Sequence, residues 1–246
     1  MVTLELQNIS KTYFLRNKNI FLYLKKKLNF ISRSNLSASH TKSFKALENI
    51  NLKFHENEIV GIMGINGAGK STLTSIMYGL TKPSSGKIIT DRTIIALFGF
   101  GSCFNPELSG RENIYLNGTA YGLSKKEIDI NIDEIIAFSE IEEIDIQMKF
   151  YSNGMRARLG FSIVAYIESD ILILDEALVG GDIYFQKKCV AKLKEIIARP
   201  NKTFIIISHN ENLLNELCTK IIVMKKGKIE FESDPVSAIE FYKKDL

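Results

Sequence analysis

IVGIMGINGAGKS, residues 59–71, joins a short apolar run to a loop that carries three glycines, a lysine and a serine. Gly64, Gly69, Lys70 and Ser71 fit the spacing G-x-x-x-x-G-K-[ST] of a phosphate-binding P-loop, with a strand before it and a helix-forming run, 71–80, after it. Glycines let backbone N–H groups turn inward around phosphate oxygens, where a Cβ would clash. The following helix adds its first-turn N–H groups and the positive end of its dipole. Lys70 would then neutralise the β- and γ-phosphates, and Ser71 would hold Mg²⁺. Ile65, Asn66, Gly67, Ala68 and Thr72 complete the predicted nucleotide-binding stretch.

A second stretch, DILILDEA at 170–177, supplies what such a loop needs. Its apolar residues predict a buried strand that delivers Asp175 and Glu176 to its carboxyl end, beside the P-loop in a parallel sheet. Asp175 suits Mg²⁺, and Glu176 suits the polarisation of an attacking water as general base. FIIISHN, 204–210, places His209 after another buried strand, within reach of a γ-phosphate.

Apolar β-branched runs predict strands at 2–6, 58–63, 88–90, 93–97, 171–174 and 204–207, continuous enough to be buried on both faces of a parallel sheet. Residues 225–228 read as a turn between strands at 221–224 and 229–232, and Asp234-Pro235 opens a last helix with Asp234 as its cap. From about 98 to 166 the helical period takes over. Ser124-Lys125-Lys126-Glu127 is a capping box, and Ile128, Ile132, Ile135 and Ile136 follow on one face. The fold class is therefore α/β, a P-loop core with a mixed sheet and antiparallel β elements, interrupted by a helical subdomain, in one domain over 1–246 with a C-terminal extension at 230–246.

Composition narrows the function. With 45% hydrophobic residues among 246, the chain can bury a full core. No apolar run reaches the roughly 18–20 residues of a membrane span, and the N-terminus lacks the apolar stretch of an export signal. The three cysteines, Cys103, Cys189 and Cys218, have no metal-ligand spacing and read as reduced packing residues. Eight Lys or Arg and no acid lie between Phe14 and Lys45. Removing those eight from 32 basic residues leaves 24 against 28 acidic ones, so the positive charge belongs to one segment. That disfavours a general nucleic-acid binder. Within the segment, Phe21, Leu24, Leu28 and Ile31 fall at helical spacing with Lys25, Lys26 and Lys27 turned away. A basic amphipathic helix of this kind lies at a membrane surface or against a partner, or else packs on its own domain.

Tyr151-Ser152-Asn153-Gly154-Met155 resembles the signature motif, usually LSGGQ, of ATP-binding cassette (ABC) ATPases. The resemblance covers nearly the whole chain in order: P-loop, helical insert, signature, acidic strand end, a D-loop at Val179–Asp182, and His209. It implies ATP and Mg²⁺ as ligands and a head-to-tail pairing of two copies. In that pairing Ser152, Asn153 and Gly154 would reach the nucleotide of the partner copy, and Asp182 would belong to the D-loop. Tyr13, in SKTY, matches the aromatic that stacks on adenine. The YSNGM form and GFGSCFNPELSGREN, 99–113, are similar to the ATPase subunits that export O-antigen, capsule or teichoic-acid-type polymers. By that resemblance the chain would sit at the cytoplasmic face of the membrane on an integral permease that docks near 98–117, and would drive export of a lipid-linked polysaccharide. An exporter of lipid or small molecules is the alternative reading; a non-transport cassette ATPase fits less well. Two departures stand out. Phe100 occupies the place of the family's usual glutamine, and Asn153 that of a glycine, which asparagine's tolerance of left-handed backbone would accommodate. Some polysaccharide exporters append a carbohydrate-binding domain, for which a chain ending at 246 leaves no room.

Overall fold

The computed structural model of the protein describes residues 1–15, 42–98, 104–175 and 183–244. Two sheets organise them. The larger has six strands in the order β5-β6-β7-β3-β8-β9: Ile94–Phe98 (β5), Ile171–Asp175 (β6), Thr203–Ile207 (β7), Ile59–Met63 (β3), Lys220–Lys225 (β8) and Lys228–Ser233 (β9). All neighbouring pairs are parallel except β8 with β9, which turn through Lys226-Gly227 as an antiparallel hairpin. The smaller sheet runs Lys42–His55 (β2), Val2–Leu15 (β1) and Ser85–Ile89 (β4), paired antiparallel.

Alternation explains why the central strands read as unbroken apolar runs. Val60, Ile62, Ile173, Ile205, Ile207 and Ile222 face one core, shared with Leu4, Leu6, Leu52 and Phe54 of the smaller sheet and Leu73 and Ile76 of helix α1 (Lys70–Met77). Met63, Leu172, Leu174, Phe204, Ile206 and Val223, interleaved with them, face the other core and the remaining helices. Each central strand is thus buried on both faces, as a covered parallel sheet requires.

The second core holds α2 (Gly110–Ala120), α3 (Lys125–Ser139), a 3₁₀ turn at Met148–Phe150 and α4 (Asn153–Ala165), the helices expected between about 98 and 166. Ser124 and Glu127 close a capping box on α3, and Ser109 and Glu112 close another on α2. Ile128, Ile132 and Ile135 are buried, with Ile136 packed at their margin. Then α5 (Ile183–Ile197), α6 (Glu211–Leu217) and α7 (Pro235–Lys244) follow. Asp234 Oδ1 accepts from the amides of Val236 and Ser237 at 3.1 Å, capping α7. The C-terminal helix is integral to the fold: Phe231 and Phe241 stack at 4.5 Å, and Ala238 and Ile239 enter the second core.

Three expectations need correction. β2 was not foreseen, and it is the main partner of β1. The strand expected at 88–90 is β4, at 85–89, an antiparallel and mostly exposed strand instead of a buried parallel one. β6 does not lie beside the P-loop strand, because β7 stands between β6 and β3. The amphipathic helix expected within 14–45 lies outside the described residues, apart from the strand ends at 14–15 and 42–45.

Candidate nucleotide site

The P-loop leaves the carboxyl end of β3 and enters α1. Gly69 is the helix's N-cap, with φ +106°, and no side chain caps the first-turn amides. The first N–H groups of a helix have no intrahelical acceptor, and an anion at the N-terminus can accept from them. A Cβ on Gly69 would stand 2.7 Å from the carbonyl oxygen of Ala46, so glycine is required by both conformation and space. The same carbonyl limits Gly227, at φ +78°, where a Cβ would stand 2.6 Å from it. Loop, β2 and the β8–β9 turn meet here. The Gly227 amide donates to the Ala68 oxygen at 2.9 Å, and the Glu48 amide donates to the Gly227 oxygen at 2.8 Å.

A cavity of about 190 Å³ opens over this loop, lined by Asn66 to Thr72 together with Ala46 and Phe44 of β2. Lys70 is buried, and its ammonium donates to the carbonyl oxygens of Gly64 at 2.7 Å and Ile65 at 3.3 Å. It also lies 3.4 Å from Nε2 of His209. Gly64 and Ile65 are not among the residues that line the cavity; their carbonyls hold the Lys70 ammonium.

Asp175, Ile207 and Ile62 are consecutive register partners across β6, β7 and β3. Asp175 continues the alternation of Ile171 and Ile173, which places it on the face that carries α1, and it is buried. His209 follows β7 by two residues, next to the strand that feeds the P-loop. The structure thus brings the loop, Lys70 and His209 together, with Asp175 in the same row of strand ends. Glu176 and Asp182 lie outside the described residues, as does Phe100.

Ser152 caps α4, its Oγ accepting from the Met155 amide at 3.1 Å, so the signature stretch opens a helix. Asn153 is the first helical residue and is absent from the positive-φ positions, so left-handed tolerance is not what admits asparagine there. Tyr151 anchors the approach: its buried hydroxyl donates to the oxygens of Glu143 or Ile144 at 3.2 and 3.1 Å, and burial pushes its pKa up to about 12. None of Ser152, Asn153 and Gly154 lines the cavity over the P-loop. Tyr13 does not line it either; Tyr13 pairs in register with Phe44, which does. Phe44 went unrecognised in the sequence, where only its place six residues before the alternation Ile50, Leu52, Phe54 marks it.

Residues 47–179 match the ABC transporter family. The O-antigen export system ATP-binding protein RfbB of Klebsiella pneumoniae is 38% identical over 206 residues, 83% of this chain and 83% of that one. The chain belongs to the ABC transporter family. Another family member, the teichoic acids export ATP-binding protein TagH of Staphylococcus epidermidis, is 38% identical over 93% of this chain and 83% of its own. Among solved structures, the dimeric, ADP- and phosphate-bound cassette MJ0796 superposes with a TM-score of 0.74 at 23% identity, over 95% of this chain and 99% of that one. Membership of the ABC transporter family gives the chain its activity class, nucleotide binding and ATP hydrolysis. Among the described residues no helix is long and apolar enough to cross a membrane.

Proposed function

We propose that the protein is the ATP-binding subunit of an exporter that moves a lipid-linked polysaccharide through a separate membrane permease. One observation carries the reading: the phosphate cavity is lined by the P-loop and β2 but not by the signature residues at the start of α4. A second copy, placed head to tail, would supply Ser152, Asn153 and Gly154 to it. The export class follows from the names of the relatives at 38% identity, RfbB and TagH, and from the YSNGM form of the signature.

In this reading the first-turn amides of α1 and the Lys70 ammonium would hold the phosphates, with Lys70 exchanging the Gly64 and Ile65 carbonyls for phosphate oxygens. Ser71 and Asp175 would hold Mg²⁺. Mg²⁺ commonly takes only one or two protein ligands and completes its shell with phosphate oxygens and water, which a hydroxyl and a carboxylate would satisfy. Bound there, the ion would neutralise charge on the phosphates. His209 lies 3.4 Å from the Lys70 ammonium and would sense the γ-phosphate, while Glu176 would orient the water and Asp182 would meet the partner copy. Tyr13 would offer its ring to the base. Opening and closing of the pair would be passed to the permease at the membrane's cytoplasmic face.

Deleting the gene in its native cell tests the export class. Surface polymer should disappear while the intracellular lipid-linked pool rises, with rescue by wild type and not by Lys70→Ala. Unchanged pools would reject polymer as the cargo.

A further inference from the structure

We propose that Phe44 forms the P-loop end of the base-binding site and makes a stacking contact of its own; the proposal rests on a nucleotide occupying the P-loop cavity. Phe44 lines that cavity together with Gly69 to Thr72, and 55% of its surface is exposed, unusual for a phenylalanine on a strand that otherwise buries its aromatic, Phe54. The register explains how it arrives there. Lys11 pairs with Leu47 but Thr12 pairs with Lys45, so Ala46 is an extra residue, a bulge in β2. Bulges turn a strand and re-aim its side chains. Ala46 presses its carbonyl oxygen on Gly69, and Phe44, two residues on, emerges about 7 Å further along the strand beside the same cavity.

Tyr13 is its direct cross-strand partner, so the two rings stand side by side on one face. They are not equivalent. The Lys11 ammonium lies 5.0 Å from the Tyr13 ring centroid and is held by the Lys82 oxygen at 2.7 Å, while Tyr13 stays off the cavity wall. With phosphates in the loop, the nucleotide's base meets Phe44 first and extends toward Tyr13. Stacking on a π-face does not read hydrogen bonds, so the contact favours any purine or pyrimidine over no base at all.

The test compares ATP, GTP and inorganic tripolyphosphate on wild type, Phe44→Ala and Phe44→Trp by calorimetry. In F44A the Kd for ATP and for GTP should rise at least about fivefold, the equivalent of about 1 kcal/mol, with tripolyphosphate affinity unchanged. F44W should restore nucleotide affinity and, in a chain with no native tryptophan, report ATP but not tripolyphosphate by quenching. ATP affinity unchanged in F44A overturns the proposal. So does an equal loss for tripolyphosphate, which would make Phe44 a support of the loop. If wild type binds neither ATP nor tripolyphosphate, the P-loop reading itself falls and Phe44 falls with it.

Discussion

The Lys70 ammonium and Nε2 of His209 stand 3.4 Å apart, so two residues separated by 139 positions share one point above the phosphate loop. The lysine is held from within the loop and the histidine from the neighbouring strand. Their loss should therefore differ. Lys70→Ala removes a charge-assisted donor and should raise the Kd for ATP at least about tenfold. His209→Ala should leave ATP affinity within about threefold and cut turnover by about 10²-fold. Nucleotide titration and phosphate release measure the two separately.

Glu176→Gln keeps the size and polarity of the side chain and removes the carboxylate proposed as the base. ATP should bind as in wild type while turnover falls by about 10²–10⁴. Near-normal turnover would take Glu176 out of that role.

Gly227→Ala is expected to act at a distance in sequence and close in space. The new methyl meets the Ala46 oxygen, and the backbone there is left-handed. The cost should be about 1–3 kcal/mol, read as a fall of several degrees in Tm. Because Gly227 also donates to Ala68, ATP affinity should fall too. Gly122→Ala, also at positive φ but with open space around it, should cost stability only.

Cys189 and Cys218 are buried, and burial pushes both thiols up to about 12. In a Cys103→Ser background the native protein should show no thiol that reacts rapidly at pH 8, and denaturant should release two. A fast native thiol would mean that α5 or the end of α6 opens readily.

Asp170 accepts from the Thr93 hydroxyl at 2.7 Å and the Thr93 amide at 2.9 Å, and these bonds hold its carboxyl below the usual range. A depressed carboxyl stabilises fully above the unfolded value near ~4, and the contribution is lost as pH falls through the folded value. Asp170→Asn should thus be about 1 kcal/mol less stable at pH 7, with the gap closing below about pH 4. Urea melts across pH 3–7 check this.

Strands with continuous apolar runs were legible because burial on both faces leaves no polar alternation to misread, as in Ile171–Leu174 and Phe204–Ile207. Caps were legible for a local reason: Ser124 and Asp234 satisfy amides within three residues. β2 was not. Lysines, Glu48 and two asparagines interrupt KSFKALENINLKFH, Asn49 sits at φ 50°, and its partner β1 is some forty residues earlier in the chain. Only Ile50, Leu52 and Phe54, alternating and buried, carried a signal. Strand order was equally hidden, since crossovers and not composition put β7 between β6 and β3. At the site, residue type and spacing singled out the P-loop and His209, whose Lys70 and Nε2 the structure brings within 3.4 Å. Phe44 was missed because a bulge, which no motif encodes, brings it to the cavity.

The row formed by Asp175, Ile207 and Ile62 has a consequence for how this sequence can drift. Main-chain hydrogen bonds fix neighbouring strands about 4.8 Å apart whatever side chains they carry. Exchanging isoleucine for valine or leucine in β6, β7 and β3 would loosen or tighten the two cores, yet the offsets between the ends of those strands would stay the same. Stability and catalytic alignment are thereby inherited separately: the interior is free to change its aliphatic alphabet, and the chemistry keeps its geometry.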